Sequence, residues 1–242
     1  MNVVTLTYDL SAKSWSVPIP TQLDSERTLV LVFGPAELLD SKESPIAEIV
    51  GAFPRSQVIG CSSGGAISGS SLRDGVVTVT VTQFEKTTMS SAVAQHAEAF
   101  TVGQSIGKKL SKPSLRAVLV FGDGVEVSGA ELVRGLNSTL DQSMVVVGGM
   151  AGDGGTFRRS WVLGGGSIRS GIAAAVGLYG EHIVVGHASR SGWTKLGDEL
   201  TVTKSDGRVI YELDGRPALA VYEERIALAG SGQLPLPLMI PL

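Results

Sequence analysis

VLVFG stands at residues 30–34 and again, unchanged, at residues 118–122, a shift of 88 positions. The same shift carries other motifs of the first half onto the second: VIG (58–60) onto VVG (146–148), and Gly64 onto Gly152. A single shift kept over this many positions predicts an internal duplication, with copies at about 28–112 and 116–190.

Further along the chain the shift grows from 88 to 96. DGVVTVTVTQFE, which starts at Asp74, then aligns with SGIAAAVGLYGE, which starts at Ser170. The second copy therefore carries about eight extra residues, which we expect within FRRSWVLGGGS at 157–167.

Each copy has the pattern of a β-α-β unit followed by two more strands and a helix. The apolar runs at 29–33 and 117–121 are typical of strands covered on both faces. We therefore expect an α/β (mixed α+β) fold of two duplicated β-α-β-β-β-α units with a pseudo-twofold relation and helices flanking the mixed sheets. One large sheet or two packed sheets would both fit the pattern.

The helices of the two copies have recognisable starts. Ser44 can cap a helix that has Pro45 at its first position, with Ile46, Ile49, Val50 and Phe53 as an apolar stripe. Ser128 and Glu131 have the spacing of a capping box, ahead of an apolar stripe of Leu132, Val133, Leu136 and Leu140. A third helix is expected from about Val102 to Leu110.

After the second copy the pattern changes. TVTKSDGRVIYEL predicts a hairpin around Asp206 and Gly207, and RPALAVYEERIALAG predicts a helix with Pro217 near its start. The last stretch, LPLPLMIPL at 234–242, is apolar and rich in proline. Because an exposed apolar end is unfavourable, we expect a further module to begin here.

The composition excludes several functions. A net charge of −3 without a run of basic residues argues against nucleic acid or an anionic membrane surface as a partner. Cys61 is the single cysteine, so no intramolecular disulfide can form and a reducing compartment is expected. The start of the chain has no signal-peptide pattern, and no apolar stretch approaches the roughly 20 residues of a membrane span. The expected location is the cytoplasm.

Two glycine-rich loops, CSSGG (61–65) and GMAGDGG (149–155), leave the carboxyl ends of predicted strands. Ligands of open α/β sheets bind at such ends, and glycine lets backbone N–H groups approach a ligand closely. Turning the chain is the alternative role of these glycines. The candidate ligand-binding residues are Cys61, Ser62, Ser63, Gly64, Gly65, Gly149, Met150, Ala151, Gly152, Asp153, Arg158 and Trp193.

Other chemistries fit less well. Residues 60–64 match the G-x-S-x-G of a nucleophile elbow, but no helix pattern follows and Met150 takes the place of Ser62 in the second copy. Neither loop is followed by the lysine of a Walker A motif, and the histidines lack the spacing of a metal site. We predict no catalytic and no metal-binding residues. His187 could ligate a haem iron, and a protein-interaction scaffold is the alternative to a ligand binder.

Four motifs in order carry a resemblance to a known family: VIGCSSGGAISG, VVGGMAGDGGTF, SGW followed by LG, and YELDGRPALAVYEE. In these the chain resembles the N-terminal domain of the FIST family (F-box and intracellular signal transduction proteins). The sharpest match is Glu212 to Leu219. The resemblance implies domain bounds of 1–228, with a truncated start of the FIST C-terminal domain at 229–242.

The resemblance also implies a function. FIST domains are sensory input modules that are thought to bind small ligands such as amino acids, with the C-terminal domain and downstream signalling proteins as partners. Some members are associated with haem and nitric oxide sensing, and no catalytic residues belong to the family. The chain departs from the family pattern at Ala66, where a glutamate is usual, and at Ser191, where a histidine is common.

Overall fold

The computed structural model describes residues 1–41, 44–188, 195, 197–207 and 209–228. The chain divides into two units, Met1–His187 and Ala188–Leu242. The first unit contains the whole of the first predicted copy and the second copy as far as His187.

Within the part of the chain that the structure describes, the first unit alternates strands with three α-helices. Its strands are β1 (Asn2–Asp9), β2 (Ser14–Trp15), β3 (Thr28–Gly34), β4 (Gln57–Ser62), β5 (Ala66–Ser68), β6 (Ser71–Arg73), β7 (Val76–Gln83), β8 (Thr88–Ala94), β9 (Leu115–Gly122), β10 (Val145–Met150), β11 (Val162–Gly164), β12 (Ser167–Arg169) and β13 (Ala173–Tyr179). Its helices are α1 (Pro45–Ala52), α2 (Ala99–Leu110) and α3 (Gly129–Asn137), and short 3-10 turns cover Thr21–Leu23 and Ala36–Asp40.

These strands form two large mixed sheets and a small hairpin. The seven-stranded sheet has the order β12-β11-β4-β3-β7-β1-β2, the four-stranded sheet has the order β10-β9-β13-β8, and β5 pairs with β6. In the described residues only β3 with β4 and β9 with β10 are parallel. The predicted mixed α/β fold is confirmed, and of the two arrangements left open the first unit adopts two packed sheets.

The two sheets pack face to face, with helices on their outer faces. Residues of β3 alternate between two cores: Val30 and Val32 pack with α1, whereas Leu29 and Phe33 face the other sheet. On β9, Val118 and Val120 pack with α2 and α3, and Phe121 faces inward. The unit is therefore layered helix, sheet, sheet, helix.

The two halves share their strand registers. Leu29 lies opposite Gln57 in the first parallel pair, and Ala117 lies opposite Val145 in the second, which is the shift of 88 in both strands. The hairpin β11–β12 stands 96 residues after β5–β6. The shift is 88 as far as Gly152 and 96 from β11 on, so the extra residues lie between these points and partly overlap the predicted 157–167. That a duplication produced the two halves stays a prediction.

The predicted element order of each copy is wrong in detail. In the first half four strands, β5 to β8, follow the β-α-β unit before α2. In the second half β11, β12 and β13 follow it, and no helix occurs between β13 and residue 188. The additional strands are short hairpins whose turns contain glycines with positive φ, such as Gly69 (60°) and Gly165 (62°). A glycine-rich turn between three-residue strands looks like a loop in the sequence.

Strands are also exchanged between the halves. β8 belongs to the first half in sequence but pairs with β13 of the four-stranded sheet. The hairpin β11–β12 belongs to the second half but pairs with β4, with Val162 opposite Cys61. Each sheet therefore contains strands from both halves.

One predicted helix cap is confirmed and the other is wrong. The Ser44 hydroxyl accepts a hydrogen bond from the Ile46 N–H, as expected for the start of α1. Ser128 precedes α3, but its side chain makes no capping hydrogen bond. The carboxylate of Glu131 turns instead toward the Arg134 guanidinium, 2.5 Å away. In the apolar stripe of α3, Val133 is 43% exposed, whereas Leu132 and Leu136 are buried.

The second unit is small. It contains β14 (Val202–Asp206), β15 (Val209–Leu213), β16 (Arg216–Pro217) and α4 (Ala218–Leu228), and Leu213, Ala218 and Val221 are buried together. The predicted hairpin and helix are confirmed. The predicted further module at 229–242 lies outside the described residues. None of the helices in the described ranges has the length and apolar character that a membrane span requires.

Glycine is required where the parallel strands approach each other, which gives a test of the fold. A Cβ added at Gly60 would lie 1.8 Å from the backbone oxygen of Val32, a contact that only movement of β3 could relieve. We expect Gly60→Ala to lower the free energy of unfolding by at least ~3 kcal/mol in chemical denaturation. Gly51→Ala is the matched control, because α1 leaves open space there, and it should raise stability by about 0.5–1 kcal/mol. Equal effects of the two substitutions would contradict the strand pairing.

Candidate functional site

The two glycine loops begin in the same way. After β4, the Ser63 N–H donates to the Gly34 carbonyl oxygen at 2.9 Å, and after β10 the Ala151 N–H donates to the Gly122 carbonyl oxygen at 2.7 Å. Each loop is thus fastened to the end of the neighbouring parallel strand. Both therefore start at the carboxyl ends of their sheets, where the sequence predicts a ligand site.

The loops also contact each other. The Gly152 N–H donates to the Ser62 carbonyl oxygen at 2.9 Å. A Cβ added at Gly64 would lie 3.3 Å from the backbone of Gly154, and one added at Gly152 would lie 3.5 Å from the Gly64 nitrogen. Small residues on both sides let two backbones approach this closely.

Cys61 and Ser62 are the last two residues of β4, and both are buried. Burial raises the pKa of the Cys61 thiol to about 12, so the reactive thiolate does not form at neutral pH. Ser62 is 1% exposed, and its hydroxyl accepts a hydrogen bond from the Trp161 N–H at 3.0 Å. The geometry therefore gives Ser62 a structural role and not that of a nucleophile.

A buried carboxylate holds the segments on either side of the hairpin β11–β12. Asp123 is fully buried, and its two oxygens accept hydrogen bonds from the N–H groups of Val125, Glu126 and Gly171 and from the Ser160 hydroxyl, at 2.7–3.0 Å. Four donors compensate for the removal of this charge from water. Asp123 therefore joins the end of β9 to the residues on either side of the hairpin β11–β12.

Asp153 organises the exposed part of the second loop. Its carboxylate accepts hydrogen bonds from the Thr156 hydroxyl and from the N–H groups of Phe157, Arg158 and Arg159. Partial burial opposes ionisation, but these hydrogen bonds outweigh it and hold the pKa of Asp153 well below its usual range. They also support Phe157 at a φ of 52°, a left-handed conformation that costs a non-glycine residue about 1–2 kcal/mol.

A cavity of about 350 Å³ opens beside the first loop. Its floor is the end of β3 with Gly34 and Pro35, and its wall is formed by Ser63, Gly64 and Gly65. The charged residues Glu37, Arg73, Asp74 and Asp153 also line it. The volume is at the lower end of the range for small-molecule sites, and both signs of charge are present.

The structure divides the twelve candidate residues among several places. Ser63, Gly64, Gly65 and Asp153 line this cavity. Gly149 and Met150 line a larger groove of about 800 Å³ between β10 and α3. Cys61, Ser62 and Ala151 are buried, and the Arg158 side chain is exposed. Gly152 joins the two loops, and Trp193 lies outside the described residues.

Sequence reasoning missed three charged residues of the cavity, Glu37, Arg73 and Asp74. The pairing of strands contains the signal that could have found the last two. Because β7 runs antiparallel to β3, residues just before β7 must lie beside the carboxyl end of β3. The sequence shows the alternating pattern of β7, but it does not show that β7 pairs antiparallel with β3.

The residues that line the larger groove bear on the prediction that His187 could ligate a haem iron. His187 lines this groove together with the apolar side chains of Met144 and Val146, so an imidazole is available. No lysine or arginine is among the described residues that line it, and a haem would bring two propionate charges. The groove therefore fits a haem poorly, and the described residues contain no cluster of three or more His, Cys, Asp or Glu side chains that could hold a metal ion.

Comparisons with known proteins agree with the sequence motifs. The family model described as the FIST N domain matches residues 28–216. An uncharacterized protein of Methanocaldococcus jannaschii is 28% identical over 191 residues, which cover 72% of this chain and 36% of that protein. The chain thus spans about a third of the length of this relative.

The low pKa of Asp153 predicts an acid-dependent loss of stability. A carboxyl group whose pKa is lower in the folded than in the unfolded chain stabilises the fold fully above the unfolded value of about 3.9 and progressively less below it. We expect Asp153→Asn to lower stability at neutral pH, with the difference from the unchanged protein shrinking as the pH falls below about 4. Chemical denaturation at a series of pH values measures this. Parallel curves for the two proteins would contradict the role given to this carboxylate.

Proposed function

We propose that this chain, which belongs to the FIST N domain family, is a sensory domain that binds a small zwitterionic metabolite such as an amino acid. Domains of this family generally serve signal transduction as sensory modules. The observation that carries the proposal is the cavity at the carboxyl ends of β3 and β4, where glycine backbone and charges of both signs meet.

The cavity offers partners for both ends of an amino acid. Arg73 can hold a carboxylate with two parallel hydrogen bonds, while Asp74 and Glu37 can accept from an ammonium group. Arg73 now pairs with Asp9 at 3.3 Å, and both side chains are partly exposed. Such a surface ion pair contributes little, so Arg73 can turn to a ligand at small cost. Asp153 already accepts four hydrogen bonds and therefore serves to shape the loop.

Signalling requires that the ligand bind two arrangements of the protein with different affinity. The cavity wall connects the ligand to the rest of the first unit, because Gly64 lies next to Gly152 and Gly154 of the second loop. A ligand that orders the first loop would thereby bias the second. A FIST C-terminal domain and downstream signalling proteins are the partners that would receive this change.

No catalytic step is assigned to this domain. The Cys61 thiol is kept protonated by burial and the Ser62 hydroxyl is buried, so neither of these two groups faces the cavity. Ser63 does line the cavity, and its hydroxyl donates a hydrogen bond to the Gly65 carbonyl oxygen at 2.7 Å. A buried, unpaired cysteine also suits a cytoplasmic setting, where thiols stay reduced.

Thermal unfolding with single amino acids as probes tests the ligand class. We expect at least one to stabilise the protein, by about 2.7 kcal/mol at a concentration about 100 times its dissociation constant. Arg73→Ala should weaken that binding about tenfold or more, because it removes a charge-assisted hydrogen bond.

Arg158→Ala is the matched control for this test. The same charge is removed from the neighbourhood of the loops, but at a side chain that does not line the cavity, so binding should persist. A panel in which no amino acid raises the unfolding temperature would contradict the proposed ligand class. Equal losses in the two variants would contradict the proposed site.

A further inference from the structure

The four-stranded sheet has an open edge where the seven-stranded sheet has a covered one. β4 and β10 occupy the same place in their halves, each parallel to the strand before it. The far edge of β4 is paired with β11, whereas β10 is the outermost strand of its sheet and has no further strand partner among the described residues. An uncharged, exposed edge strand is a template for pairing with another strand.

The groove beside β10 is the place that β11–β12 fills in the other half. In the first half Trp161, Leu163 and Ile168 pack into the core beneath α1. In the second half the corresponding space between α3 and β10 remains a groove of about 800 Å³, walled by Val133 and Met150, which are 43% and 38% exposed. All of its described lining residues are apolar or uncharged polar, apart from the titratable His187.

The hairpin β5–β6 has the complementary surface. It is the counterpart of β11–β12 at the shift of 96, so Ile67 corresponds to Leu163 and Leu72 to Ile168. Leu163 is fully buried, whereas Ile67 and Leu72 are 73% and 74% exposed. β5 also pairs only with β6, so its other edge is open within the described residues, while both edges of β11 are paired.

From this match we infer that the hairpin β5–β6 of a second copy of this chain docks antiparallel on β10 and buries Ile67 and Leu72 against α3. The pairing of β11 with β4 supplies the register. Leu163 lies opposite Gly60, so Ile67 of one copy lies opposite Gly148 of the other. Because each copy carries one hairpin and one groove, a twofold dimer fills both grooves reciprocally. The inference does not rest on the proposed ligand.

The chain's own hairpin is the other occupant to consider, and the linker argues against it. Two residues of the second half bond to Ser62: the Gly152 N–H donates to the Ser62 carbonyl oxygen, and the Trp161 carbonyl oxygen accepts from the Ser62 N–H. Residues 153–160 connect Gly152 to Trp161. The corresponding residues of the first half, Gly64 and Gly65, are consecutive. Without the eight intervening residues the first half has no slack to place β5 beside β10 in the same way.

Sedimentation of the full chain tests the dimer. We expect the unchanged protein to dimerise. Ile67→Glu and Leu72→Glu should each raise the dissociation constant of the dimer at least 100-fold. Neither substitution should change the unfolding temperature of the monomer, because both side chains are exposed there. Val133→Glu, on the groove side, should have the same effect. Val184→Glu is the matched control, because Val184 is 95% exposed and lies outside hairpin and groove. A monomeric unchanged protein, or a dimer insensitive to all three substitutions, would overturn the inference.

Disulfide cross-linking separates the two occupants. The ladder extended by one residue from Ile67 and Gly148 sets Ser68 opposite Val147 in a non-hydrogen-bonded pair, whose Cα atoms are about 4.5 Å apart and suit a disulfide. We expect chains with Ser68→Cys, mixed with chains with Val147→Cys under oxidation, to form a covalent heterodimer. The buried native Cys61 should not compete. A chain that carries both substitutions is oxidised in parallel. A disulfide that forms only within this double variant, and not between chains, would show that each chain's own hairpin is the occupant and would overturn the inference. The absence of any cross-link would overturn it as well.

Discussion

The contact between the inner faces of the two sheets determines the rest of the first unit. At its centre the rings of Phe33 and Phe121 meet edge to face, with centroids 5.4 Å apart. These two residues occupy the same place in their halves, so the molecule is joined through a contact between equivalent positions. This packing brings the ends of both parallel strand pairs together, and the two glycine loops that follow must therefore share one space. The cavity beside the first loop forms where the two loops lie next to each other, and residues of both loops line it.

The second half has eight residues, 153–160, that the first half lacks, and they change where the following hairpin lies. The segment 153–160 is held by Asp153 and, through Ser160, by the buried Asp123. It allows the chain to pass Ser62 and continue as β11 beside β4 in the other sheet. The first half lacks this segment, so its hairpin stays beside the cavity and contributes Arg73 to it. The charged cavity and the apolar groove are thus two results of one length difference.

The sequence predicts the local elements well and their partners poorly. Apolar runs, caps and spacing identify β3, β9, α1 and the hairpin of the second unit, because these depend on neighbouring residues. The exchange of β8 and β11–β12 between the halves depends on contacts between residues about 80–100 positions apart, which periodicity does not report. The same reason explains the site: the loops are visible as glycine motifs, but Arg73 and Asp74 reach the cavity only through the antiparallel pairing of β7 with β3. Family motifs identify the domain where physical patterns alone leave several folds open.

The exchange of strands also governs how the unit can come apart. Removing the second half would uncover β4 and take Trp161 and Leu163 out of the first half's core, and removing the first half would strip β8 from the four-stranded sheet. Neither half could therefore stand as a folded intermediate, and the unit should lose its structure in one cooperative transition. Its many pairings between distant residues also imply slow folding for its size. A unit with the appearance of two repeats is in this respect a single cooperative domain.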